Sequence, residues 1–264
     1  MDLQLQGKRA LVTGGSRGLG FAIASELCDE GARVALLARD AETVERAAST
    51  LRSRGYDAIA VSADTSRDDE VDAAVAKVTE DLGGVDILVN AAAKAAGGPP
   101  TGFQDLDDDA LRTEMETKVL GYLRCARAVA PQMIDRGWGR VINISGLNLR
   151  RTGSMFGAIR NVSVVAMSKN LADELGPHGV NVTVVHPGLT LTDGVHEMIR
   201  AGASDRGITE PEMAKNLAQD VITGRLVEPV EVAHVVTFLC SPLSVAITGD
   251  AVAVGGGQLG SIHY

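Results

Sequence analysis

The glycine-rich turn at 13–20 restricts the fold of this chain more than any other feature. It follows a short apolar run at 9–12, and a helical pattern begins directly after it. Gly14 permits a sharp exit from a strand, Gly18 allows a ligand to approach the backbone, and Gly20 allows the helix to pack tightly on the strand. Free N–H groups at the start of such a helix attract an anion, and another strand pattern follows about 20 residues later. The turn therefore predicts a dinucleotide-binding βαβ unit.

Short apolar, β-branched runs alternate with helical patterns along the whole chain. We predict strands at 9–12, 33–37, 58–62, 87–89, 141–144, 180–185 and 251–254, and helices at 18–30, 40–54, 68–82, 107–135, 158–175 and 229–239. Strands that are apolar along their whole length are buried on both faces, and β-α alternation forms a parallel sheet. The predicted fold class is α/β, a Rossmann-type doubly wound parallel sheet of about seven strands flanked by helices on both faces.

The pattern along the chain indicates a single domain over residues 1–264. No proline- or glycine-rich linker divides the chain, and we find no internal repeat. The least regular stretch, 189–226, holds two short amphipathic segments. Because a late insertion near the carboxyl ends of parallel strands usually covers the ligand crevice, we expect this segment to be a substrate lid.

Charge and composition exclude several classes of protein. The net charge of −9 and the 3% aromatic content argue against nucleic-acid binding. No apolar run approaches 18 residues, and the first residues resemble no secretory signal, so we expect no membrane partner and a cytoplasmic location. Cys28, Cys125 and Cys240 are scattered through apolar helical patterns. This spacing predicts reduced, buried thiols and no metal site.

The end of the second strand favours NADP(H) over NAD(H). An acidic residue there would bind the ribose hydroxyls, whereas an arginine would hold the 2′-phosphate. Here Ala38 leaves room and Arg39 offers a guanidinium group, while Arg17 in the glycine turn adds a second positive charge. Asp40 is interpreted as the N-cap of the next helix.

These motifs, in this order, resemble the short-chain dehydrogenase/reductase family over nearly the whole chain. Thr13-Gly14-x-x-x-Gly18-x-Gly20 is similar to its cofactor turn, and Asn90-Ala91-Ala92-Ala93 to its turn after the fourth strand. The resemblance implies dinucleotide binding and a tendency to form dimers or tetramers. The cofactor-binding residues that the turn, the second strand and the resemblance together indicate are Gly14, Ser16, Arg17, Gly18, Leu19, Gly20, Arg39, Asp64, Thr65, Asn90, Ala91, Ala92, Pro187, Gly188, Thr190 and Thr192.

The catalytic residues of that family do not carry over. Its members use a Tyr-x-x-x-Lys motif assisted by a serine and an asparagine. Counting back from Pro187-Gly188 by the family's usual spacing places the tyrosine at Gly157 and the lysine at Asn161. The serine position falls at Ser145 or Gly146, and the asparagine position is Lys118. The comparison therefore predicts an atypical active site without the tyrosine.

Lys118 and Asn161 look like an exchange of the family's asparagine and lysine. One hypothesis is that Lys118 restores a positive charge beside the nicotinamide ribose, while Asn161 keeps a hydrogen bond there. The alternative is that Lys118 pairs with Glu114, one helical turn earlier, on an exposed helix face. Ser145 ends the fifth strand, at the edge where this fold places its chemistry, and would help polarise a substrate oxygen.

Other polar residues near the expected crevice leave alternatives open. Arg150, Arg151 and Arg160 could orient an anionic substrate or could lie solvated on the surface. His186 is interpreted as a hydrogen-bonded core histidine rather than a titrating group. Two remaining tyrosines, Tyr122 and Tyr264, are weak candidates for a replacement phenol.

The sequence thus predicts an NADP(H)-dependent oxidoreductase that acts on a carbonyl/alcohol pair. Ser145, Lys118 and Asn161 would form the catalytic group, and an unidentified residue or water would carry the proton. Two alternatives remain. One is a dinucleotide-binding sensor or assembly protein without turnover, and the other is a non-redox enzyme that uses the same crevice.

Overall fold

A seven-stranded parallel sheet forms the centre of the computed structural model, which describes residues 1–93, 104, 106–260 and 262. The strand order is β3-β2-β1-β4-β5-β6-β7, and every neighbouring pair is parallel. The strands are β1 (Arg9–Thr13), β2 (Arg33–Ala38), β3 (Ala58–Ser62), β4 (Ile87–Asn90), β5 (Gly139–Ile144), β6 (Val180–Pro187) and β7 (Ala251–Val254). The predicted fold class is confirmed.

Helices cover both faces of the sheet because successive strand residues point to opposite faces. Val12 packs in one core with α1, α2 and α9, whereas Leu11 packs in a second core with α3, α5 and α6. The helices are α1 (Gly18–Asp29), α2 (Ala41–Ser53), α3 (Asp68–Leu82), α4 (Asp108–Glu114), α5 (Gly121–Arg136), α6 (Met155–Leu175), α7 (Asp193–Arg206), α8 (Glu210–Leu217) and α9 (Pro229–Cys240). This arrangement leaves the carboxyl ends of the strands open between the two helical layers.

The strand order reverses between β1 and β4, which are hydrogen-bonded neighbours in the middle of the sheet. In open parallel sheets the ligand crevice lies outside the carboxyl ends of the strands at this reversal. Thr13 and Asn90 end the two strands and lie side by side there. The topology therefore places the glycine turn at the point where this architecture binds its ligands.

One predicted helix is interrupted. The sequence pattern predicts a continuous helix at 107–135, but a π-helical turn, Met115–Leu120, separates α4 from α5. A π turn contains more residues than an α turn, so it rotates the side chains around the helix axis relative to the regular pattern. The rotation matters for Lys118, which lies inside this turn.

The segment at 189–226 contains two helices, α7 and α8, as its amphipathic pattern predicts. They enclose a small apolar cluster of their own, which includes Ile199, Ala203 and Met213. Isolated bridges join Thr190 to Val227 and Val221 to Gln258 at the two ends of the segment.

Two further expectations concern cysteines and membrane helices. Cys28, Cys125 and Cys240 are buried free thiols, as predicted, and burial raises the pKa of Cys28 and Cys125 to about 12. In the part of the chain that the structure describes, no helix is both long and apolar enough to cross a membrane. Tyr264 lies outside the described residues.

Candidate active site

The glycine turn has the geometry that its sequence predicts. Gly14 adopts φ +68°, and a Cβ there would lie 2.9 Å from the backbone of Ala91 and Ala92. A Cβ on Gly20 would overlap the carbonyl oxygen of Gly14, so only glycine lets α1 start this close to the end of β1. Gly18 adopts φ +55° and faces Thr192 across the crevice. The turn is therefore a close-packed junction between β1, β4 and the start of the segment at 189–226.

The start of α1 can accept an anionic ligand. Arg17 is its N-cap residue, and no side chain in the described part of the chain caps the helix. The first N–H groups of a helix have no intrahelical partner and carry a partial positive charge. Ser16 and Leu19 are only half-buried on either side of Arg17, so the backbone there is accessible. These features fit the pyrophosphate of a dinucleotide.

Two cations beside this turn have no side-chain partner in the part of the chain that the structure describes. Within the described ranges, Arg17 and Arg39 form neither an ion pair nor a side-chain hydrogen bond, and both are exposed. The Asp40 carboxylate accepts a hydrogen bond from Thr43 N at 2.8 Å, which confirms its predicted role as the N-cap of α2. That bond lowers the pKa of Asp40. The acidic residue next to Arg39 is thus occupied by the helix.

Asp64 and Thr65 follow β3 and line the same edge of the sheet. Asp64 Oδ1 accepts a hydrogen bond from Ser66 N at 2.9 Å, which fixes a tight turn. Thr65 is buried, and a Cβ on Gly121 would lie 2.9 Å from its hydroxyl oxygen. The two residues shape the crevice wall, with Asp64 half-buried and Thr65 packed against the start of α5.

Asn90 faces inward rather than into the crevice. Its Nδ2 donates to Asn143 Oδ1 at 2.9 Å and to the carbonyl of Tyr122 at 3.3 Å. The N–H groups of Ala91 and Ala92 both donate to the Thr13 hydroxyl. The polar side chains of Thr13 and Asn90 thus form hydrogen bonds within the protein. A ligand could contact only the remaining backbone and methyl groups here.

The segment after β6 passes close to the end of β7. A Cβ on Gly188 would lie 2.8 Å from Gly255 Cα, so both positions need small residues. Pro187 ends β6, and the buried Thr190 hydroxyl donates to the Gly188 carbonyl at 3.1 Å. Thr192 is the N-cap of α7 and reaches toward Gly18. The predicted cofactor residues from β1, β4 and β6 thus surround one crevice.

Lys118 lies inside the site and is only 4% exposed. Its Nζ donates to Asn161 Oδ1 and to the Ser145 carbonyl, each at 3.0 Å. The alternative in which Lys118 pairs with Glu114 on an exposed face is wrong, because Glu114 forms its ion pair with the buried Arg160. The rotation of the π turn accounts for this inward position.

Burial, together with the nearby positive charge of Arg160, lowers the pKa of the Lys118 ammonium to about 7. The negative charge of Glu114 opposes both effects. Lys118 therefore changes charge near neutral pH, unlike an exposed lysine.

Ser145 follows β5 and is bonded from three directions. Its N–H donates to the Val185 carbonyl at 2.8 Å, its carbonyl accepts from Lys118, and its hydroxyl donates to the Asn161 carbonyl at 3.2 Å. The structure thus joins Ser145, Lys118 and Asn161 in one buried group. Their catalytic roles stay predictions.

A second carboxamide, that of Asn148, joins this group. Asn161 Nδ2 donates to Asn148 Oδ1, and Asn148 lies in the short helical turn Leu147–Arg150 after β5. A Cβ on Gly157 would lie 2.6 Å from Asn148 Nδ2 and 2.6 Å from Ser154 Oγ. The amide of Asn148 therefore fills the volume into which a side chain at Gly157 would project.

Comparison with known proteins agrees with this geometry. The model of the short chain dehydrogenase family matches residues 8–202. The chain belongs to the short-chain dehydrogenase family. Among curated relatives, the short-chain reductase protein NovJ of Streptomyces niveus is 34% identical over 250 residues, which are 94% of this chain and 93% of the relative.

Solved members of the family have the same fold. L-sorbose reductase from Gluconobacter frateurii, solved with NADPH and L-sorbose, superposes with a TM-score of 0.92 at 30% identity, covering 99% of this chain and 100% of that chain. A 3-ketoacyl-(acyl-carrier-protein) reductase from Brucella melitensis, solved with NADH, gives 0.84 at 30% identity over 96% and 99%. These two relatives bind different nicotinamide dinucleotides.

Neither His186 nor Tyr122 provides an exposed acidic group in the site. His186 is buried as expected, but the expected hydrogen bond is missing at Nδ1, which has no partner among the described residues. Burial, Arg150 and Lys118 lower its pKa to about 4, so the ring is neutral at pH 7. The Tyr122 hydroxyl donates to the Ile144 carbonyl at 3.1 Å, and burial raises its pKa.

The three arginines of the crevice have different environments. Arg160 is neither a solvated residue nor a substrate clamp, because it is buried and paired with Glu114. Arg151 lies 3.6 Å from Asp220 in an exposed ion pair. Arg150 forms no ion pair in the described ranges, and its positive charge helps to lower the pKa of His186. Only Arg150 stays available for an anion.

Sequence reasoning missed Asn148 and the pair between Arg160 and Glu114. Asn148 follows Ser145 by three residues, in the loop directly after a strand end, where this fold places functional groups. That position was the available signal. The ion pair joins α4 to α6 across 46 residues, and no local pattern indicates it.

Proposed function

We propose that this chain is an NADP(H)-dependent oxidoreductase that acts on a carbonyl/alcohol pair through an atypical active site. The observation that carries the proposal is the position of Lys118, whose ammonium lies 3.0 Å from Asn161 Oδ1 inside the crevice wall. Lysine and asparagine are adjacent in space, as the proposed exchange of their sequence positions requires. This supports the hypothesis that Lys118 places its charge beside the nicotinamide ribose.

NADPH, when bound, would supply a hydride to the carbonyl carbon of the substrate. The start of α1 would hold its pyrophosphate, and Lys118 with Asn161 would orient its nicotinamide ribose. Ser145, whose hydroxyl donates to the Asn161 carbonyl, would offer its hydroxyl oxygen to the reacting group. The tyrosines of the chain are Tyr56, Tyr122 and Tyr264, and none has a lysine four residues later. The proton would therefore come from water or another group.

The preference for NADP(H) has its support in Arg17 and Arg39, the unpaired cations beside the glycine turn. Replacing Arg39 with alanine should weaken NADPH binding by about 10-fold or more, because a charge-assisted contact to the 2′-phosphate is lost. NADH binding should change by less than about twofold, since NADH carries no such phosphate. Fluorescence titration of both dinucleotides measures the two values. Equal losses for NADPH and NADH would contradict the preference.

We further propose an anionic substrate and a cytoplasmic homo-oligomer. Arg150, which lies near His186 and forms no ion pair with the described residues, supports the first point. Met155, Ile159 and Val162 support oligomer formation, since they form an exposed apolar stripe on α6 with 50%, 42% and 50% of their surface accessible. The helices at 193–217 would close over the substrate as a lid within the proposed single domain.

The test is NADPH oxidation followed at 340 nm with three carbonyl probes, acetoacetyl-CoA, ethyl acetoacetate and L-sorbose. The proposal expects turnover of at least one probe and a faster reaction with NADPH than with NADH. A dinucleotide-binding protein without turnover is the second candidate, favoured by the absence of a side chain at Gly157. Tight NADPH binding with no oxidation by any probe would support it instead.

A further inference from the structure

The hydrogen bonds around Lys118 have a direction that chemistry fixes. In its charged form, Lys118 only donates, so Asn161 must present Oδ1 to Nζ. Asn161 Nδ2 then donates to Asn148, which must accept this hydrogen bond through Oδ1. The remaining polar atom of Asn148 is Nδ2, a donor. The orientation of this amide thus follows from the positive charge at Lys118, two side chains away.

Asn148 Nδ2 has no hydrogen-bond partner among the residues that the structure describes. It forms no hydrogen bond within the described ranges and is not one of the buried unpartnered atoms, so solvent or a ligand can reach it. It lies 2.6 Å from the ideal Cβ position of Gly157. The hydroxyl of Ser154, on the other side of that position, already accepts from Gly157 N. An oriented donor therefore occupies the place from which a side chain at Gly157 would reach the crevice.

The loop that carries Asn148 is packed against Gly255, the residue that follows β7. A Cβ on Gly255 would overlap the Leu147 side chain, and Gly255 in turn contacts Gly188. Asn148 is the next residue of this turn after Leu147 and is bonded to Asn161, so it lies beside the buried group of Lys118 at the carboxyl edge of the sheet. A half-buried, preoriented amide there costs little reorganisation when it binds an oxygen atom.

We propose that Asn148 Nδ2 donates the hydrogen bond that holds the carbonyl oxygen of the substrate, an inference that rests on the proposed carbonyl reduction. Asn148 is then a catalytic residue, since it contacts the reacting oxygen. A carboxamide has no acidic proton to release, so the oxygen takes its proton from a crevice water, which leaves as hydroxide. Lys118 and Asn161 act on this contact as positioning residues.

Two variants of Asn148 separate substrate binding from simple support of Asn161. Asn148→Asp keeps an oxygen for Asn161 Nδ2 but replaces the free donor with a negatively charged acceptor, whereas Asn148→Ala removes both. If Nδ2 binds the substrate oxygen, both variants should lose about 100-fold in kcat/KM with the carbonyl probes. NADPH Kd should change less than about threefold. An Asn148→Asp protein with wild-type kcat/KM would overturn the inference, because the supporting role alone survives in it.

Gly157→Ala tests the same contact from the other side. Its Cβ would meet Asn148 Nδ2 at 2.6 Å and displace the amide, so a similar loss in kcat/KM should follow. Gly176→Ala is the matched control, because nothing lies within 4 Å of its Cβ position. Wild-type turnover in Gly157→Ala would also contradict the inference. If the wild-type protein reduces none of the three probes, the proposed function fails and the inference fails with it.

Discussion

Exchanging Lys118 and Asn161 should restore most of the activity that either single substitution removes. Lys118→Asn removes the buried positive charge, and Asn161→Lys places a second ammonium within reach of the first. Each should lower kcat/KM by about 100-fold, whereas the double variant should return to within about 10-fold of wild type. Independent effects would multiply to a loss of about 10⁴-fold, so this rescue corresponds to a coupling of about 4 kcal/mol, above the range of about 0.5–3 kcal/mol that is usual for side chains in direct contact. Steady-state kinetics with NADPH and a reducible probe measures all four proteins.

The same exchange should appear in the pH dependence of NADPH binding. The pKa of Lys118 is lowered to about 7, so its positive charge is present below pH 7 and is lost as the pH rises. NADPH affinity of the wild-type protein should therefore fall as the pH rises through about 7. The methionine of Lys118→Met carries no charge below or above pH 7. This variant should therefore lack the decrease in NADPH affinity that is due to Lys118. Unchanged NADPH affinity and turnover in Lys118→Ala would contradict the exchange.

Gly20→Ala should weaken dinucleotide binding more than any other single substitution in the glycine turn. The added Cβ would overlap the Gly14 carbonyl oxygen, which is backbone and cannot rotate away. The start of α1 must then move from the end of β1, so we expect NADPH Kd to rise by at least about 100-fold. The melting temperature should also fall by several degrees, since strained packing commonly costs about 1–3 kcal/mol.

Gly176→Ala provides the control for this substitution as well. It lies at the end of α6, where an added Cβ meets open space. Both its NADPH Kd and its melting temperature should stay near the wild-type values. Titrations of Gly20→Ala belong at a temperature where circular dichroism still reports a folded protein. NADPH affinity within threefold of wild type under those conditions would show that the close contact at Gly20 is dispensable.

The elements that sequence predicted correctly depend on local chemistry. The helix at 68–82 has the predicted bounds because its acidic first turn and the left-handed glycine at Gly83 define both ends. Asp40 was recognisable as an N-cap from its place before a helical pattern. The glycine turn was recognisable because each glycine answers a separate steric demand. For the helix and its cap, the deciding contacts lie within a few residues.

The parts that sequence could not predict depend on contacts between distant elements. The burial of Lys118 requires a π turn, and the helical sequence pattern at 107–135 continues through this turn without a break. The orientation of Asn148 depends on Asn161, which depends in turn on Lys118 from another helix. From the local sequence alone, Arg160 resembles a surface residue, because its partner Glu114 lies on another helix. Each of these outcomes is decided by tertiary packing rather than by the local pattern.

The most direct test of hydride transfer follows the hydrogen itself. Wild-type protein is incubated with a carbonyl probe and NADPH carrying deuterium at both hydrogens of nicotinamide C4, and the product is analysed by mass spectrometry. The proposed function predicts an alcohol with one deuterium, bonded to the former carbonyl carbon, and one equivalent of NADP⁺. Saturable binding of NADPH with no deuterium in any product would contradict it.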